Sequence, residues 1–219
     1  MHSTTLQSAR RHMVEQQIRT ADVTDAGVLA LYDSIPRDFF VPVEYRQLAY
    51  ADSAIPLGHG EHMMVPIVES RMIQALDVDP RHEVLVVGTG SGFVTACLAR
   101  LVNEVTSIDI HRDFVDSASA KLKELGIDNV SLAVMDACRD LPPGPFDAIA
   151  VTGSLLTLDA RYIAALKPGG RLFLVTGDAP IMDAQLIVRD GDETWHATSL
   201  FETMLTRLAN ADSPTLFRF

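Results

Sequence analysis

Residues 83–99, Glu-Val-Leu-Val-Val-Gly-Thr-Gly-Ser-Gly-Phe-Val-Thr-Ala-Cys-Leu-Ala, pass from an apolar, β-branched stretch through a glycine-rich turn into residues with helical spacing. The apolar, β-rich run within 83–88 predicts a strand covered on both faces, and 93–102 has helical spacing. Between them Gly88, Gly90 and Gly92 permit a tight turn and a close ligand approach, and the helix start offers free N–H groups. Strand, turn and helix in this order open a parallel sheet whose ligand crevice lies beyond the carboxyl ends of its strands.

Working outward, the alternation continues. Residues 104–110 read as a strand, 114–126 as a helix closed by Gly126, and 130–136, 146–153 and 171–177 as further strands, with a helix over 159–170 before the last. Strands without polar alternation, separated by helices, define an α/β fold with a doubly wound, mostly parallel sheet. Asp190-Gly191-Asp192, between two strand-like runs, is a hairpin signal that appends antiparallel strands to the sheet edge, with Trp195 covering its face. Upstream, residues 4–35 have helical spacing with Thr24 or Asp25 as a cap, and Pro36 ends them. Pro42, Pro56, Gly58 and Gly60 then punctuate short irregular pieces before helical spacing resumes after Pro66. The expected organisation is an N-terminal helical extension and substrate loop over 1–78, packed on a core over 79–219 as one structural unit.

Composition narrows the function. The 219 residues carry a formal charge of −11, with no stripe of Lys and Arg to offset it, so nucleic acid is a poor partner. No apolar run reaches the roughly 18 residues that cross a bilayer, and the N-terminus has no hydrophobic stretch after its basic residues, so neither membrane nor export is expected and the cytoplasm is the default compartment. Cys97 and Cys138 form no CxxC pair and read as core residues, as do Met13 and Met72.

The glycine turn spaces its residues G-x-G-x-G, and Phe93 breaks the G-x-G-x-x-G of dinucleotide sites. Asp109, about twenty residues on at the end of the next strand, is placed to accept from ribose hydroxyls, and Asp136, ending the third strand, from an adenine amino group. Either aspartate alone also suits a helix cap. The stretch Gly58-His-Gly-Glu-His-Met-Met-Val-Pro66 gathers soft ligand types, yet it lacks the repeated donors of a dedicated metal site, and no metal is expected.

"VLVVGTGSGFVTACLA", "SIDI", "VMDA", "FDAIAVT" and "LKPGGRLFLV" resemble the successive motifs of class I S-adenosylmethionine-dependent methyltransferases. "MVEQQIR", "IPRDFFVP", "LAYAD" and "IPLGHG", in that order, resemble the protein-L-isoaspartate O-methyltransferase family. The resemblance implies a Rossmann-like fold and S-adenosyl-L-methionine as cofactor. Gly88, Thr89, Gly90, Ser91 and Gly92 would then face its methionine portion, Asp109 with Ile110 its ribose, and Asp136 with Ala137 its adenine. It implies an isoaspartyl protein or peptide as methyl acceptor, framed by His59, Met63, Met64, Thr152 and Ser154. No catalytic acid or base is expected, because a carboxylate acceptor is already a nucleophile.

Three segments depart from the family pattern. Met64 stands where the family's loop has a substrate-contacting serine, and Glu61 adds charge beside it. Gly153-Ser-Leu-Leu-Thr157 lacks the family's proline, and the last residues show no "FVPL"-like segment. These departures keep open a methyltransferase of the same lineage with a different, small or apolar acceptor, or a protein that binds the cofactor without catalysis.

Overall fold

The computed structural model describes residues 2–212. Helix α1 (His2–Met13) continues through a π turn and a 3-10 turn to Ala21, and Asp22 ends the run at φ 64°. Asp25 caps α2 (Ala26–Ser34), its carboxylate accepting from Val28 N at 2.8 Å, and α3 (Arg37–Phe40) follows Pro36. The stretch expected to be irregular then forms a hairpin of β1 (Ile55–Gly58) and β2 (Glu61–Met63). Its turn depends on positive φ at Gly58, His59 and Gly60, a conformation that side-chain patterning does not reveal. Pro66 opens α4 (Pro66–Leu76).

The α/β core alternates as expected: β3 (Glu83–Val87), α5 (Phe93–Ala99), β4 (Glu104–Asp109), α6 (Arg112–Glu124), β5 (Val130–Val134), β6 (Phe146–Leu155), α7 (Ala160–Ala164), β7 (Leu166–Asp178), β8 (Ile181–Arg189) and β9 (Trp195–Thr203). The helix expected over 159–170 stops at Ala164, since Pro168 ends helical bonding and Gly169 at φ 80° bends the chain into an early, bulged start of β7. The seven-stranded sheet has the order β5-β4-β3-β6-β7-β8-β9, antiparallel only across β7-β8 and β8-β9. The chain therefore winds outward from β3 in one direction and returns to its other side with β6, which places the topological switch at β3.

Pleating sorts each strand's side chains between two layers. Val84 and Val86 join a core with α2, α4, α5 and the N-terminal turns, whereas Leu85 and Val87 join a second core with Tyr162 and Ile163 of α7. Cys97, Met13 and Met72 lie in the first core as expected. Trp195 does not cover the sheet: it stands 46% exposed, because β9 is an edge strand with no layer packed over that end. Among the described residues no helix is long and apolar enough to cross a membrane.

The N-terminal segments are fastened by one buried guanidinium. Arg37, 0% exposed, donates from Nε and Nη2 to the two oxygens of Glu69, at 3.1 Å each, and from Nη1 and Nη2 to the carbonyls of Ala49 and Met64, at 2.6 Å each. Burial pushes the Glu69 carboxyl up against the lowering pull of Arg37. A pair of this kind is roughly neutral against a hydrophobic replacement, but one orphaned partner is costly. Denaturant titration should find R37M destabilised by about 3–5 kcal/mol, with R37M/E69L recovering most of that loss.

Candidate functional site

A cavity of about 610 Å³ opens at the switch point, walled by the carboxyl ends of β3, β4 and β6, the β1-β2 hairpin, and the segment 203–209 that follows β9. Gly88, at φ 90°, packs so closely on Thr152 that a Cβ would collide with the Thr152 hydroxyl. That hydroxyl donates to the carbonyls of Val87 at 3.1 Å and Gly88 at 2.7 Å, closing the strand end over the turn. Gly92, at φ 87°, admits α6 against the turn, since a Cβ there would lie 2.9 Å from that of Ala118. Beneath the loop, the hydroxyls of Thr89, Ser107 and Thr95 form a buried chain at 2.8 and 2.9 Å. Ser91 accepts from Phe93 N at 3.3 Å.

Asp109 is held by backbone alone. Oδ2 accepts from Gly90 N at 2.8 Å and Oδ1 from His111 N at 2.9 Å, leaving a 7% exposed carboxylate with lone pairs facing the cavity. Asp136 accepts from Cys138 N at 3.0 Å and from the Asn210 amide at 2.8 Å, and pairs with Arg139 at 3.2 Å. The glycine turn thus forms a cradle that side chains would fill, flanked by two preset acceptors, a donor and acceptor set that fits a nucleoside-bearing cofactor.

Of the residues singled out from sequence, Gly88, Gly90, Asp109, Ile110, Asp136, Ala137, Met63, Met64 and Thr152 line this cavity. Thr89, Ser91 and Gly92 support it from beneath, as described above. His59 lies outside the lining. It stacks on His111 with centroids 4.1 Å apart and planes 9° apart, and its Nε2 is 3.0 Å from Asp113 Oδ2. His59, His111 and Asp113 each bring one ligand-type atom within 4.8 Å of the others, and together they latch the hairpin to the start of α6. Ser154 is also off the lining, fully buried, and donates to Leu205 O at 3.1 Å. Cys138, expected in the core, is half-buried and lines the cavity. Sequence reasoning missed His62, Thr206 and Arg207; the latter two follow an edge strand and carry no pattern that locates them.

A mostly parallel sheet with a glycine turn and a carboxylate at the next strand end defines the cofactor-binding α/β class. The family described as protein-L-isoaspartate(D-aspartate) O-methyltransferase matches residues 8–213, and the chain belongs to that family. It is 40% identical over 171 residues to the protein-L-isoaspartate O-methyltransferase of Opitutus terrae, covering 78% of this chain and 73% of the relative. It is 31% identical over 207 residues to that of Herpetosiphon aurantiacus, covering 94% and 92%. In fold, it is similar to the solved structure of a Plasmodium falciparum protein assigned to the same activity, in complex with S-adenosyl-L-homocysteine. The TM-score is 0.78 at 20% identity, covering 91% of this chain and 97% of that one.

Glu61 faces this cavity, and burial raises its carboxyl above the ordinary range against the lowering pull of His111. A raised folded pKa means a stability contribution present below the unfolded value and lost as pH rises through the folded one. E61Q should therefore match the wild type near pH 4 and gain thermal stability relative to it toward pH 7, a difference that paired melting curves across that range will show.

Proposed function

We propose that the protein transfers a methyl group from S-adenosyl-L-methionine to the free carboxylate of isoaspartyl residues in proteins and peptides. One observation carries this reading: the glycine turn, Asp109 and Asp136 open on the same cavity as Met63 and Met64 of the acceptor-side hairpin, in a chain of this family. Asp109 accepts from the ribose hydroxyls, Asp136 with Ala137 reads the adenine, and Gly88 and Gly90 leave room for the methionine portion. When bound, the cofactor supplies an electrophilic methyl on a positive sulfur, and as an acceptor oxygen takes it the electron pair of the broken carbon–sulfur bond stays on sulfur.

The chain's own residues have little proton chemistry to do, because the acceptor is an anion. Their work is alignment and exclusion of water, which is worth several kcal/mol in oriented reactions. Met63 and Met64, both buried, and the partly buried Leu57 and Val65 give the acceptor side an apolar wall. Of the described residues, 2–78 act as the acceptor-side cover of the core formed by 79–212, the two working as one unit.

Calorimetry should show S-adenosyl-L-homocysteine binding that D109A weakens by about 100-fold, the loss of two hydrogen bonds to a charged acceptor. Methyl incorporation should occur with an isoaspartyl peptide and be absent from its aspartyl twin. Equal turnover of both peptides would overturn the acceptor assignment, and loss-free binding by D109A would overturn the cofactor pose.

A further inference from the structure

The end of β6, the segment 205–208 and the β1-β2 hairpin meet at one place. Ser154 N donates to Thr206 O at 2.9 Å, Leu208 N donates to Ser154 O at 2.9 Å, and Ser154 Oγ donates to Leu205 O at 3.1 Å. These bonds clamp 205–208 alongside the end of β6 in the manner of a short parallel strand. The approach requires Gly153, where a Cβ would lie 2.6 Å from Leu208 Cδ2 and 3.2 Å from Thr206 O. On the other side, Thr206 Oγ1 reaches His62 Nδ1 of β2 at 3.4 Å, two residues before Met64. The strand end, the C-terminal segment and the hairpin thus fit one another.

The donors around this patch can be sorted by what already holds them. Thr152 and Ser154 spend their hydroxyl protons on backbone carbonyls. Arg207 is tied to Asp178 at 2.7 Å and to Asp212 O at 2.7 Å. A methionine sulfur has no proton to give. Among the described residues, Thr203 and Thr206 are the lining hydroxyls with no backbone acceptor, and Thr203 sits at the end of β9 opposite Met182. Thr206 faces the hairpin that carries Met64, through its contact with His62, on a backbone that is itself clamped.

We infer that the Thr206 hydroxyl, opposite His62 at the cavity mouth, is the donor that holds the acceptor carboxylate in this protein, since Met63 and Met64 of the facing hairpin have no proton to give. The inference rests on the isoaspartyl reading above. The 3.4 Å contact to His62 is long, so the hydroxyl can turn to an incoming carboxylate while the imidazole remains beside it. It holds one carboxylate oxygen and leaves the other free for the methyl. Because the acceptor loses its charge during transfer, this hydrogen bond is stronger with substrate than in the transition state, so it acts on binding more than on turnover.

The test is steady-state methylation of an isoaspartyl peptide by wild type, T206V and T206S, with S-adenosyl-L-homocysteine affinity measured on each. T206V should raise KM by about 10- to 100-fold with kcat changed far less and cofactor affinity kept, and T206S should restore KM. A wild-type KM in T206V, or a T206S as impaired as T206V, overturns the inference while leaving the isoaspartyl reading intact. A wild type that binds S-adenosyl-L-homocysteine yet leaves the peptide unmethylated overturns both.

Discussion

The Arg37 guanidinium is the constraint on which the acceptor side depends. It lies wholly inside the protein, satisfies Glu69 on α4, and holds the carbonyls of Ala49 and Met64. Those partners come from the stretch after α3, the end of the β1-β2 hairpin and helix α4. A planar cation with several donors in fixed directions can order all of them at once, which a lysine or an apolar side chain cannot. Its Met64 contact extends this order to the cavity wall. Phe93, the first residue of α5, lies 5.5 Å beneath the same guanidinium, so the glycine turn's helix and the hairpin share one anchor.

On the cofactor side the corresponding constraint is backbone proximity. Gly88 and Gly92 have no Cβ because Thr152 and Ala118 occupy the space, and the chain reversal that results brings Gly90 N to Asp109. The carboxylate is thus oriented by the protein's own backbone. That arrangement needs only local sequence: a strand, three glycines, and an aspartate at the next strand end. It is why the turn, Asp109 and Asp136 were legible from residues alone, along with the order of strands and helices.

The acceptor side was not legible in the same way. The β1-β2 hairpin turns on positive φ at His59, and nothing in the residue pattern distinguishes that from a loop. His59 was singled out for a pocket but latches onto His111 and Asp113, a contact set by where α6 starts. Ser154 was singled out as a hydroxyl facing the acceptor, yet its proton goes to Leu205, fifty-one positions away. Thr206 and Arg207 reach the cavity only because Gly153 lets them approach. Long-range packing decided each of these placements, and a single sequence carries no signal of it.

The two halves of the site therefore impose different demands. On the proposed reading, the cofactor half is built from backbone groups and two carboxylates. The acceptor half must receive an anion in a chain of net charge −11, with Glu61 at the cavity and Asp178 at its rim. Arg207 offsets Asp178, so that acid at the rim is partly neutralised where the acceptor must pass. A neutral hydroxyl donor suits such a place better than another charge: it orients the carboxylate without holding it as tightly as a cation would, and it releases the uncharged ester once transfer is complete.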